Sequence, residues 1–126
     1  MPESVKSLLE AANAVVPRIS PDQARELVST RDALLVDVRD PTEVAASGKL
    51  AGALNVSRGM LEFRADPESP SHLPAFRRDR PVVLYCASGG RSALAGRELR
   101  AMGYEQVHNL GGFRDAAAGG YEVEPG

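Results

Sequence analysis

Pro81-Val82-Val83-Leu84-Tyr85-Cys86-Ala87-Ser88-Gly89-Gly90-Arg91-Ser92 runs from an unbroken apolar stretch through a glycine-bearing turn into helix-forming sequence. An apolar run this short, opening after a proline, suits a strand buried on both faces. Ala33-Leu34-Leu35-Val36 is a second such run. Ser92 to Met102, with Ala93, Leu94, Leu99 and Met102 at helical spacing, predicts a helix that ends at Gly103. Gln106 to Leu110 reads as a last strand. Strands alternating with helices imply parallel strands joined by crossover helices, an α/β fold.

Towards the N-terminus, Val5, Leu8, Leu9, Ala12, Val15 and Val16 give an amphipathic helix over about residues 3–16, stopped before Pro17, whose stripe needs a partner surface. Ser20-Pro21-Asp22-Gln23 supplies an N-cap, a proline at the first helical position and a capping-box glutamine, so a second helix runs through about Val28. Thr42 to Ser47 predicts a short helix, and Ala53 to Phe63 a segment containing a helical turn. Asp66 to Ser71 is a loop rich in turn residues, too short to link two domains.

The chain has 126 residues, so one domain over 1–126 is the expectation. Hydrophobic residues make up 43% and charged residues 25%, which argues against disorder and membrane character. The net charge of −2 is interleaved along the chain, so neither a nucleic-acid nor a membrane partner is expected. Glu3 and Glu10 interrupt the first 20 residues, which read as neither secretory signal nor membrane span, and a cytoplasmic protein is expected.

Cys86 is the one cysteine, so no internal disulfide is available, and there is no Cys/His spacing for structural zinc. A free cysteine taken alone is more often a small buried hydrophobe than a working thiol. Here it falls where a buried strand gives way to a helix, the end of an α/β sheet at which ligands bind. Unpaired N–H groups there stabilise an anion and should draw the thiol below its usual ~8.5. Gly89 and Gly90 allow the positive φ that turns successive N–H groups inward, Ser88 and Ser92 add hydroxyls, and Arg91 adds a cation.

These residues resemble a known family. Leu35-Val36-Asp37-Val38-Arg39-Asp40-Pro41 with Glu43, then Gly48, Ala51-Gly52-Ala53 and Asn55, is similar to the N-terminal rhodanese signature. Tyr85-Cys86-Ala87-Ser88-Gly89-Gly90-Arg91-Ser92 resembles its active-site loop, and Gly103-Tyr104, Val107 and Leu110-Gly111-Gly112-Phe113 its closing pattern. The resemblance covers about residues 20–124 and leaves the first helix outside it. It implies a rhodanese-like fold, a central five-stranded parallel sheet with helices on both faces. Two features depart from it: Gly48-Lys49-Leu50 stands where the family commonly has Gly-His-Ile, and no tryptophan occurs near Ala116.

The activity implied is sulfur transfer from thiosulfate or a similar donor to cyanide or a thiol through a Cys86 persulfide, cradled by Ala87, Ser88, Gly89, Gly90, Arg91 and Ser92. Arg91 either orients the donor's sulfonate or braces the loop against Asp37 or Glu43. Asp37, Arg39 and Glu43 are expected as supports beside the loop, and Arg58 as an attraction for an anionic donor or a solvated side chain. His72 and His108 read as structural. No cofactor or metal is implied. Two other readings share the fold: a non-enzymatic persulfide relay or binding module, in which a sulfur-relay protein would be the partner, and a phosphatase or arsenate reductase. The latter resemble one another in a loop one residue longer than the six from Cys86 to Arg91.

Overall fold

The computed structural model describes residues 2–126. Four strands form a parallel sheet in the order β3-β1-β4-β5: β1 (Leu34–Asp37), β3 (Leu54–Asn55), β4 (Val82–Cys86) and β5 (Val107–Gly112). The two apolar runs are therefore the central pair, with Leu34 opposite Val82 and Asp37 opposite Tyr85. Alternation along β4 sends Val82, Leu84 and Cys86 into one core and Val83 and Tyr85 into the other. Both faces are covered, which is why no polar residue interrupts the run. Truncating Leu84, fully buried, to alanine would cost about 2–5 kcal/mol.

The first core takes in Val16, Leu61, Ala65, Phe76, Leu99 and Tyr104, so α5 (Gly90–Ala101), α4 (Leu61–Ala65) and the end of α1 (Val5–Val15) share that face. The second takes in Ala24, Leu110, Phe113, Ala116 and Tyr121, which places α2 (Pro21–Arg31) and α6 (Phe113–Ala118) opposite. The partner surface of α1 is α5. Gly96 of α5 permits their close approach, since a Cβ there would stand 2.8 Å from a Val16 methyl.

A single parallel bridge, Arg18 to Asn109, stands at the outer edge of β5 where the expected fifth strand would lie. Pro17 has no N–H to donate, and Ser20 already caps α2, so the segment cannot lengthen. Ile19 N–H donates to Asn109 O at 3.1 Å, and Asn109 N–H to Pro17 O at 2.9 Å. The capping box at Ser20 and Gln23 forms as expected, and α2 continues to Arg31, closed by Asp32 at φ 52°.

Two features had no clear signal in the sequence. One is α6; the other is an antiparallel pair of two-residue strands, β2 (Lys49–Leu50) and β6 (Val123–Glu124). The departure at Gly48-Lys49-Leu50 is absorbed there: Lys49 Nζ pairs with Glu124 at 3.1 Å, and Leu50 N–H donates to the Tyr85 hydroxyl at 3.0 Å. The short helix Pro41–Ser47 is α3. Among the described residues, no helix is long and apolar enough to cross a membrane.

Candidate active site

Cys86 ends β4 with its side chain in the first core and only 1% of its surface exposed. The chain then turns through Ala87, Ser88 and Gly89, the last at φ 103°, and enters α5 at Gly90. That left-handed glycine aims its own N–H back at the sulfur, donating to Cys86 Sγ at 3.0 Å. Ser92, fully buried one turn into α5, holds its Oγ 3.5 Å from Sγ. Burial pushes the Cys86 thiol up, but the Ser92 hydroxyl and the N–H groups of Ser92, Ser88 and Gly89 outweigh it, and the net shift is downward. These donors favour the anionic form of a buried sulfur.

Asn109 of β5 stabilises the cradle from behind and was not singled out by sequence reasoning. It is fully buried. Its Oδ1 accepts from Ser92 Oγ at 2.8 Å and from Gly111 N–H at 2.9 Å, and its Nδ2 donates to Gly89 O at 3.1 Å. Ser92 has one hydroxyl proton. While the thiol is protonated that proton goes to Asn109; a thiolate competes for it. The strand carries His108 beside it, so a lone polar residue in an apolar run was not there to mark Asn109.

Other close approaches fix the loop. A Cβ on Gly112 would lie 2.7 Å from Ala87 O, so β5 presses against the turn. Arg18 lays its guanidinium over Gly89 and Gly111, where a side chain on either glycine would collide with it. Arg18 belongs to the short segment between α1 and α2.

Arg91 braces the loop. Its Nη1 and Nη2 donate to Glu43 Oε2 and Oε1 at 2.7 and 2.9 Å, a forked ion pair with Glu43 and not with Asp37. Arg91, with the Asp40 N–H adding a donor, lowers the Glu43 carboxyl to about 2. Asp37 is fully buried and pairs with Arg39, which donates from Nε at 3.0 Å and from Nη2 at 2.7 Å. Arg39 also donates to Ser47 Oγ and Gly48 O, both at 2.8 Å, and its guanidinium lies 4.3 Å from the Phe113 ring centre. Asp37 and Arg39 make no hydrogen bond to the loop. They stiffen the end of β1, from which α3 presents Glu43.

Ala87 opens onto a cleft of about 450 Å³ lined by Arg39, Glu43, Ser47, Phe113 and Arg114. Phe113 and Arg114 follow the second glycine of the closing pattern, and Arg114 was not among the expected site residues. Arg58 does not line this cleft and pairs with Glu62 at 2.8 Å. His72 Nε2 meets Phe76 O at 3.0 Å in the loop before β4. His108 faces a separate cleft against α2, where burial lowers its pKa.

The fold and loop have counterparts among known proteins. A sulfurtransferase of Allochromatium vinosum is 39% identical over 89 residues, covering 71% of this chain and 75% of that protein. The human thiosulfate:glutathione sulfurtransferase is 30% identical over 105 residues, covering 79% and 90%. Among solved structures, a Rhodopseudomonas palustris protein of unknown function, described as a possible tyrosine phosphatase, superposes with a TM-score of 0.87. It is 38% identical, with 98% of this chain and 99% of that one covered. A model of the rhodanese-like domain matches residues 20–118, and the chain belongs to the rhodanese-like domain family, with sulfurtransferases among its relatives.

Proposed function

We propose that the chain is a single-domain sulfurtransferase working in the cytoplasm, in which Cys86 carries sulfur as a persulfide. The observation that supports this most directly is the inward Gly89 N–H, 3.0 Å from a buried Sγ whose pKa is drawn down by its donors. The Cys86 thiolate attacks the outer sulfur of thiosulfate, the S–S bond breaks, and sulfite leaves with the electron pair. The negative charge now sits on the terminal persulfide sulfur, within reach of the loop donors from Ala87 to Ser92. Cyanide or a thiol then attacks that sulfur, restoring the thiolate and leaving as thiocyanate or as a persulfide. The donors that lower the Cys86 pKa favour the thiolate, and a thiolate needs no general base.

Arg91 serves this chemistry by holding the loop through Glu43, and Asp37 and Arg39 by anchoring the strand end behind it. Arg58, spent on Glu62, is a weaker candidate for donor attraction than the sequence suggested. Intact-mass measurement after thiosulfate tests the reading: one added sulfur, lost again on adding cyanide, is expected, and an unchanged mass overturns it. The same experiment with a protein thiol as acceptor, set beside turnover with cyanide, separates catalysis from a relay role. The possible-phosphatase description of the Rhodopseudomonas palustris relative favours a second reading. Against it stands the six-residue loop, which offers fewer converging N–H groups than a phosphoryl dianion needs. Phosphate-ester hydrolysis faster than sulfur transfer would reverse that choice.

A further inference from the structure

The cleft beside Ala87 is lined by three charged side chains, and two of them are compensated. Arg39 is neutralised by the fully buried Asp37, and each of its three guanidinium nitrogens already donates within the protein. Glu43 is neutralised by the forked pair with Arg91. Arg114 is exposed, and no carboxylate lies within ion-pairing distance of it among the described residues. The cleft therefore carries one uncompensated positive charge, on the wall formed by Phe113 and Arg114.

Its size adds a second constraint. A volume of about 450 Å³ falls within the roughly 300–1,000 Å³ of sites that take organic ligands. Thiosulfate, a few heavy atoms across, would leave most of it as water. The cleft touches Ala87, the residue after Cys86, so a ligand seated in it lies beside the cradle.

We propose that this cleft is the subsite for the sulfur acceptor, a small thiol bearing at least one carboxylate, and that Arg114 selects it by pairing with that carboxylate. The inference rests on Cys86 carrying a persulfide. In the step concerned, the acceptor's thiol sulfur bonds to the terminal persulfide sulfur, the bond from that sulfur to Sγ breaks, and Cys86 keeps the electron pair as thiolate. The acceptor departs as its own persulfide. Arg114 takes no part in the bond changes; it lowers the acceptor concentration needed and so acts on KM more than on kcat. Arginine suits the role because its planar fork matches a carboxylate and stays charged at every working pH.

The test begins with protein loaded by thiosulfate and verified by intact mass. Discharge is then followed with 3-mercaptopropionate, 2-mercaptoethanol and cysteamine, thiols of similar size carrying negative, zero and positive charge. For the wild type, the rate ratio of 3-mercaptopropionate to 2-mercaptoethanol is the reference. In Arg114→Gln that ratio should fall roughly two- to fivefold, through KM, as befits one exposed charge pair. Arg114→Lys should recover most of it, and Arg114→Glu should reverse the preference in favour of cysteamine. A ratio equal in wild type and all three variants overturns the proposal. So does a loss of thiosulfate loading in the same proportion, which would make Arg114 part of the donor's site. A wild type that never gains sulfur defeats the persulfide reading itself, and is told apart by the first mass measurement.

Discussion

Two segments leave the C-terminal ends of neighbouring parallel strands and are built on opposite plans. After β1, Asp37 and Arg39 neutralise one another: a fully buried carboxylate takes the guanidinium, which also donates to Ser47 and Gly48. After β4, the loop from Cys86 to Ser92 does the reverse. It gathers N–H and hydroxyl donors around a single sulfur and leaves that sulfur to bring the charge. A closed charge pair stiffens, whereas an open cradle binds. The two are joined at one place, the Glu43–Arg91 pair, where the segment after β1 reaches across to hold the loop.

The sharpest way to break this contrast is to remove the group the cradle serves. Cys86→Ser should abolish sulfur loading and lower turnover on the order of 10³-fold or more. The fold should persist, because Gly89 N–H and Ser92 are placed to bond a hydroxyl at that position. Intact mass after thiosulfate and a melting curve check both halves; residual loading would show that sulfur is carried elsewhere.

The closed pair should respond in the opposite currency. Asp37→Ala leaves the Arg39 charge buried and unpaired, a change that costs about 3–5 kcal/mol. Denaturant unfolding should register that loss, while the thiol of whatever protein stays folded keeps its reactivity towards a neutral alkylating agent. A stable variant with an impaired thiol would mean that Asp37 acts on the chemistry directly.

Within the cradle, Ser92→Ala tests how the one hydroxyl proton is divided between Asn109 and the sulfur. Removing a donor to the thiolate should move the midpoint of the alkylation-versus-pH profile upward, since the Ser92 hydroxyl lowers the Cys86 pKa. Alkylation near neutral pH should slow accordingly. An unmoved profile would show that Asn109 keeps the proton in both ionisation states, leaving the N–H groups alone to stabilise the anion.

The parts of this arrangement legible in the sequence are those in which neighbouring residues carry the signal. The runs at Leu34 and Val82, the capping box at Ser20 and Gln23, and the turn at Gly89 each point to local structure that forms, whereas Gly90, expected at positive φ as well, instead opens α5. What escaped depends on contacts across long stretches of chain. Arg18 lies over Gly89 and Gly111, Asn109 reaches Ser92, and β2 pairs with β6 over only two residues each. The helix α6 has no cap side chain bonded at its N-terminus and owes its place to Phe113 and Ala116 in the second core. Arg91 could be narrowed to two partners by type, Asp37 or Glu43, but choosing between them required knowing that Asp37 is already spent on Arg39.

The smallest effect belongs to the join between the two segments. Glu43 and Arg91 are each a little more than one third exposed at the side chain, so water screens their attraction and the pair is worth at most about 1 kcal/mol. The Glu43 carboxyl lies at about 2 in the folded chain against 4.5 as its ordinary value. A depressed carboxylate stabilises the fold fully above its unfolded value, and the contribution drains away as pH falls from about 4.5 towards 2. Glu43→Gln should therefore melt a few degrees below the wild type at pH 6, and the gap should narrow steadily below pH 4.5. Added salt should narrow it at pH 6 as well. A gap that ignores both pH and salt would mean that Glu43 supports the loop by packing and by its Asp40 N–H bond, and that the charge on Arg91 is free to meet the donor's sulfonate.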